Sequence, residues 1–256
     1  IKAEGFNTVR IPVFWGNMMK NDGTYTIDPA YIGRVKEIVD YCQKDGLYTV
    51  VNIHHFDEFI IRRNSVEDCE KIFTRLWTQI AEYFKDYPYT LVFEGFDENG
   101  KLVELSKAEG YRLTNALNQA FVDAVRKTGG NNSERVLIVS GYWTNIDNTT
   151  APDFVMPEDT ASDRLMVSVH YVDNAMYWSK KIGGQEWLDY TDAQIELLDK
   201  AFLSKNIPVF MGETSAGYPD SNFDQNAIHK DTSECLEIVL DKLTDKGIVP
   251  VIWDVN

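Results

Sequence analysis

Apolar positions along the chain follow two alternating rhythms. Short runs are apolar almost throughout, and between them longer stretches repeat an apolar residue every three or four positions. The short runs predict strands at Thr8–Pro12, Tyr48–His54, Leu91–Glu94, Val136–Val139, Leu165–His170, Pro208–Met211 and Ile248–Trp253. The longer stretches predict helices. Tyr31, Ile32, Val35, Ile38, Val39 and Cys42 share one helical face, entered through Asp28-Pro29 and closed by Gly46. Ser65 opens a second helix with Ile72, Phe73, Leu76, Trp77, Ile80 and Phe84 on one side. A third carries Leu113, Leu117, Ala120, Phe121 and Val125 up to Gly129-Gly130. Thr191 and Gln194 have capping-box spacing, which predicts a helix start just before Ile195, Leu198 and Phe202. A last helix is expected over Thr232–Lys246.

Strands that are apolar on both faces are those of a parallel sheet covered on both sides. Strands alternating with helices give such a sheet, either open or closed into a barrel. No glycine-rich phosphate loop follows the first strand, which disfavours a dinucleotide-binding open sheet. The polar residues decide between the two. Arg10, His54, Glu98, His170, Glu213 and Trp253 all fall at or just past the C-terminal ends of different strands. A barrel gathers those ends around one axis, whereas an open sheet strings them out in a row. The expected fold is therefore α/β, a (β/α)8 TIM barrel, with residues 1–256 forming a single catalytic domain free of low-complexity linkers. The pattern supplies seven strands. Against an eight-stranded barrel, the first strand is lacking before Ile1 and the last helix after Asn256, so either the sequence omits a segment or the barrel has an exposed gap.

A hydrophobic fraction of 44% is enough for a large core. Six Trp and thirteen Tyr are a generous supply of flat faces for stacking on sugar rings. A formal net charge of −15 repels nucleic-acid backbones and anionic membranes, so neither is an expected partner. A neutral polysaccharide meets no such objection. No apolar run is long enough to cross a membrane. Cys42, Cys69 and Cys235 each fall on an apolar helical face without metal-ligand spacing, and read as buried small hydrophobes. His54 and His55 are adjacent, and neighbours on a strand point to opposite sides. One imidazole is expected in the cleft and one packed outward, with no metal and no cofactor.

Glu98 and Glu213 leave different strands and are placed to face one another across a cleft. Hydrolysis of a glycosidic bond uses such a pair, one carboxyl protonating the leaving oxygen while the other, ionised, attacks. Arg10 interrupts an apolar strand and needs an anionic partner. Its expected role is either to hold Glu213 ionised and lower its pKa or to form a structural ion pair with any nearby acid. Trp15, Trp143, Trp178 and Trp253 follow different strands and are candidate sugar platforms.

These segments resemble glycoside hydrolase family 5, the cellulase family of clan A, from Gly5 to Trp253. Gly5-Phe-Asn-Thr-Val-Arg-Ile-Pro-Val is similar to its second-strand motif, Asn52-Ile-His-His to the third, Leu91-Val-Phe-Glu-Gly-Phe-Asp-Glu to the fourth, Val167-Ser-Val-His-Tyr to the sixth, Pro208-Val-Phe-Met-Gly-Glu to the seventh and Val251-Ile-Trp-Asp to the eighth. Phe121-Val-Asp-Ala-Val-Arg-Lys-Thr-Gly-Gly-Asn-Asn resembles bacterial endoglucanases. The resemblance implies a retaining endo-β-1,4-glucanase, with Glu98 as acid/base, Glu213 as nucleophile and the two carboxyls about 5–5.5 Å apart. It implies sugar contacts from Arg10, His54, Asp97, His170 and Trp253, to which Trp15, Tyr171 and Trp178 are added. A secreted bacterial monomer, alone or within a multi-module protein, is the expected setting, with mannan, xyloglucan or mixed-linkage glucan as alternative substrates and a binding barrel of impaired catalysis as the alternative function. Two departures stand out. Asp97 occupies the position of the family's asparagine, and a carboxylate accepts hydrogen bonds but donates none. Val172 occupies the position of a frequent tyrosine, with Tyr171 one place off and facing the other way.

Overall fold

Seven parallel strands pair strictly in chain order in the computed structural model, which describes residues 1–56, 64–98, 105–172, 184–215 and 225–253. They are β1 (Thr8–Ile11), β2 (Tyr48–Asn52), β3 (Leu91–Glu94), β4 (Leu137–Ser140), β5 (Leu165–Val172), β6 (Val209–Ser215) and β7 (Val249–Ile252). Between them run α1 (Pro29–Lys44), α2 (Val66–Phe84), α3 (Lys107–Lys127), the single turn α4 (Ile146–Thr149), α5 (Gln185–Ala201) and α6 (Gln225–Asp245). Among the described residues no helix is long and apolar enough to cross a membrane.

The helix starts follow from local chemistry. The Asp28 carboxylate accepts from the amides of Ala30 and Tyr31 ahead of Pro29, Ser65 caps α2, and Ser106 with Glu109 closes a capping box on α3. One expected start is overturned. α5 begins at Gln185, not at Thr191. Thr191 lies buried inside the helix, where its hydroxyl bonds the Trp187 carbonyl at 2.9 Å and the Tyr171 hydroxyl at 2.7 Å. The capping spacing is real, but a tertiary contact has taken the hydroxyl. The last helix likewise starts at Gln225 rather than Thr232.

Two cores result. The larger lies between the sheet and its helices and includes Phe73, Trp77, Phe93, Phe121 and Trp187, all fully buried. The three cysteines are buried. The smaller core is the barrel interior, built from Val50, Val92, Ile138 and Phe210. Parallel register links Arg10 to Val50 and Val50 to Val92, so Arg10 also points inward. Higher on the same inner wall, toward the strand C-termini, stand Asn52, Glu94, Ser140, Ser168 and His170. The lining thus changes from apolar to polar along the axis. β1 and β7 form the two edges of the sheet and approach one another, but among the described residues they exchange no ladder hydrogen bonds. This nearly closed ring is the barrel expected from the strand pattern.

Candidate active site

The C-terminal mouth is assembled by hydrogen bonds that hold each strand exit in place. Leaving β3, Gly95 donates to the Ile138 carbonyl at 2.9 Å, Phe96 to Ser140 Oγ at 3.0 Å and Asp97 to the Ile53 carbonyl at 3.0 Å. Trp77 Nε1 fixes the Gly95 carbonyl at 2.9 Å. The segment therefore stays tied to both neighbouring strands. Asp97 points inward, its side chain 3% exposed, while Glu98 reaches the rim with 45% exposure.

Arg10 sits at the centre with every donor group engaged by an acid. Its Nε meets Glu94 Oε2 at 2.5 Å, Nη1 meets Glu213 Oε1 at 2.9 Å and Nη2 meets Asp97 Oδ1 at 2.8 Å. Glu94 is fully buried and also accepts from Ser168 Oγ at 2.7 Å. Glu213 comes from β6, where the pairing with β5 skips one residue. Val169 is opposite Met211 and His170 is opposite Glu213, leaving Gly212 as a bulge. A Cβ at Gly212 would lie 3.0 Å from Ser168 Oγ and 3.2 Å from both Glu94 Oε1 and His170 Nε2. Glycine lets the bulge press against this polar cluster without crowding it, and the bulge re-aims Glu213 toward the mouth.

His170 joins the two candidate catalytic groups. Its Nδ1 shares a hydrogen bond with Glu98 Oε1 at 3.0 Å and lies 3.7 Å from Glu213 Oε2. Taken together, these gaps cap the separation of the two oxygens at about 6.7 Å, inside which the retaining spacing of about 5–5.5 Å falls. His54 stacks nearly parallel to Trp253, at 6.2 Å and 18°. Its Nδ1 lies 3.0 Å from Asp97 Oδ2, close but without hydrogen-bond geometry.

Burial and charge pull these groups in different directions. Burial works against the Asp97 carboxylate, yet the His54 imidazole beside it and the Arg10 guanidinium hold its pKa far below the usual carboxylate range. Burial also works against the charge on Arg10, but the ring of Glu94, Asp97 and Glu213 raises its pKa. Glu213 departs from expectation. Arg10 and His170 favour its ionised form, but burial, aided by the nearby Asp97 and Glu98 carboxyls, prevails and raises its pKa.

The structure brings Arg10, His54, Asp97, Glu98, His170, Glu213 and Trp253 to one mouth. Two expected sugar contacts are corrected. Trp15 is wholly buried, with Nε1 donating to the Asn52 carbonyl at 2.9 Å, and it packs edge-on against Tyr31. Tyr171 is 3% exposed and turned outward to Thr191 on α5, as strand alternation requires of the residue after an inward His170. Trp178 lies outside the described residues. The histidine pair is also corrected. His55 has a left-handed backbone (φ 51°), and its ring meets that of His54 at 4.1 Å instead of turning away. Glu94, Ser168 and Gly212 were not expected at the site. The available signal was an acid at the end of an otherwise apolar strand.

A parallel β/α barrel whose mouth holds two approaching glutamates, an arginine and two imidazoles has the architecture of the glycoside hydrolase class. The chain belongs to glycoside hydrolase family 5: the family model described as "Cellulase (glycosyl hydrolase family 5)" matches residues 1–256. It is 36% identical to Endoglucanase B of Ruminococcus albus over 98% of its own length and 60% of that protein's, so it spans well under two thirds of that relative. Among solved structures it resembles a family 5 xyloglucanase from Paenibacillus pabuli, with a TM-score of 0.87, 29% identity and coverage of 99% of this chain and 79% of that one. A family 5 lichenase from a Caldicellulosiruptor species gives a TM-score of 0.87 at 31% identity, covering 99% and 72%.

Proposed function

We propose that the chain is a retaining endo-β-1,4-glucanase in which Glu213 is the nucleophile and Glu98 the general acid/base. The observation that carries this reading is His170 Nδ1 standing within 3.0 Å of Glu98 and 3.7 Å of Glu213, which keeps the carboxyls at single-linkage range. Glu98, at the solvated rim, donates a proton to the departing glycosidic oxygen. Glu213, set deeper against Arg10, attacks the anomeric carbon. Water activated by Glu98 then releases the glycosyl-enzyme with net retention. Trp253, stacked on His54, is the floor beneath the sugar, with Arg10, Asp97 and His170 as the polar wall. The substrate is a β-linked glucan. The xyloglucanase and lichenase similarities support branched and mixed-linkage glucans as alternatives. Secretion from a bacterium, as a monomer or as one module of a longer protein, completes the reading, since a polysaccharide cannot enter the cell intact.

The test is release of reducing ends from soluble β-1,4-glucan, xyloglucan, mixed-linkage glucan and mannan by the wild type, Glu98→Gln and Glu213→Gln. Each variant should lose roughly a thousandfold or more in rate, and the first product should retain the β anomer by NMR. Full activity in either variant, or an inverted product, would refute the assignment. Oligosaccharide binding without any cleavage by the wild type would make the chain a binding barrel.

A further inference from the structure

We propose that His54, His55 and Asp97 form a binding site for a divalent transition metal, best matched by Zn2+, and that the bound ion blocks the sugar cleft. One nitrogen from each imidazole and one Asp97 oxygen lie within 4.8 Å of one another. Imidazole with carboxylate is a donor set that suits zinc, and zinc bonds of about 2.0–2.2 Å place tetrahedral donors roughly 3.3 Å apart. His54 Nδ1 and Asp97 Oδ2 are already 3.0 Å apart.

That pair is the strongest sign. The His54 side chain is 7% exposed and its Nδ1 has no hydrogen-bond partner, although a carboxylate oxygen stands beside it. A buried polar atom without a partner is costly. Two donor atoms 3.0 Å apart are spaced as for a shared cation. His55 supplies the third donor through its left-handed backbone, which carries its ring to within 4.1 Å of the His54 ring. Phe14 packs against the His55 ring at 4.5 Å and limits its motion. His55 is only half-buried, which leaves a path from solvent.

Charge agrees. Glu94, Asp97 and Glu213 crowd one guanidinium, and Arg10 takes Asp97 through Oδ1, leaving Oδ2 turned to His54. A second group, Asp97 with His170 and Glu213, also has its donors within reach of one another. There Arg10 already grips both carboxylates, so a cation would meet it directly.

Blocking of the cleft rests on the proposed hydrolytic function; binding of the ion does not. The two are therefore read separately, by calorimetric titration of chelator-treated protein with Zn2+ and by hydrolysis of soluble β-glucan with and without Zn2+. The wild type should bind one His55-dependent equivalent. His55→Gln should bind it at least tenfold more weakly, hydrolyse at the wild-type rate in chelator and need at least tenfold more Zn2+ for inhibition. Absence of binding heat up to millimolar Zn2+, or unchanged affinity in His55→Gln, overturns the site. Unchanged hydrolysis at saturating Zn2+ overturns the blocking. Zn2+ binding that depends on His55, in a protein that cleaves no glucan at all, upholds the site and removes the hydrolytic reading instead.

Discussion

His170 and Glu213 are partners across β5 and β6 because Gly212 has no partner of its own. Without the bulge, strand alternation would carry Glu213 to the other face of the sheet. The pairing of an imidazole with a carboxylate at the mouth thus depends on a residue with no side chain.

Gly212→Ala is the direct probe of that dependence. Its new methyl would crowd Ser168 Oγ, Glu94 Oε1 and His170 Nε2 together, at 3.0–3.2 Å. We expect a loss of about 1–3 kcal/mol in stability, read by urea denaturation. Hydrolysis should fall by more than this loss of folded protein explains. Wild-type activity would show that the bulge has room to spare.

The acid limb of the pH–rate profile should reflect Glu213. Burial and the Asp97 carboxyl raise its pKa, so the limb should lie above the ordinary glutamate range. Asp97→Asn removes a neighbouring anion, which eases ionisation of Glu213 and moves the limb to lower pH. Stability should respond in the opposite sense. Because the folded-state pKa of Asp97 is depressed, its contribution is complete above the unfolded aspartate pKa and declines as pH falls toward the folded value. The melting temperature of the wild type should therefore drop more steeply in acid than that of Asp97→Asn. An acid limb that stays in place would separate Asp97 from the titration of Glu213.

Glu94 accepts from both Arg10 Nε and Ser168 Oγ. A glutamine there offers one acceptor oxygen, so one of those two donors must face an amide NH2. Glu94→Gln should cost roughly 1–3 kcal/mol for the unsatisfied buried donor. With Arg10 less firmly held, kcat should fall more than KM rises. A variant as stable as the wild type, with unchanged kcat, would rule out this anchoring role.

Trp15 and Trp253 both follow strands, but their substitutions should act on different quantities. Trp15→Ala empties a fully buried volume and should cost about 3–5 kcal/mol, with KM close to normal in the protein that remains folded. Trp253→Ala should leave the melting temperature within a few degrees and raise KM. Exchange of these two outcomes would reverse their assignment to core and cleft.

Strand order and the mouth residues were legible because both rest on local pattern. Apolar runs marked all seven strands within a few residues, and strand-end polar residues converge in any barrel. Side-chain direction past a strand end was not legible. His54 and His55 were expected to oppose each other, but alternation holds only while the backbone stays extended, and residue 55 turns left-handed. Trp15 looked like a sugar platform from position alone, and nothing in its neighbours announces that the Asn52 carbonyl receives its indole N–H. The expected depression of the Glu213 pKa counted the arginine but not the burial, nor the other carboxylates gathered around it. Glu94 escaped notice because its partners, Arg10 and Ser168, are 84 and 74 residues away.

The Arg10 guanidinium has a mechanical task besides its electrostatic one. From β1 it grips Glu213 on β6 and both Glu94 and Asp97 from the end of β3, tying three separate staves of the barrel together. The cluster works as a hoop around a cask, so a change that frees Arg10 both disarms the pocket and slackens the wall.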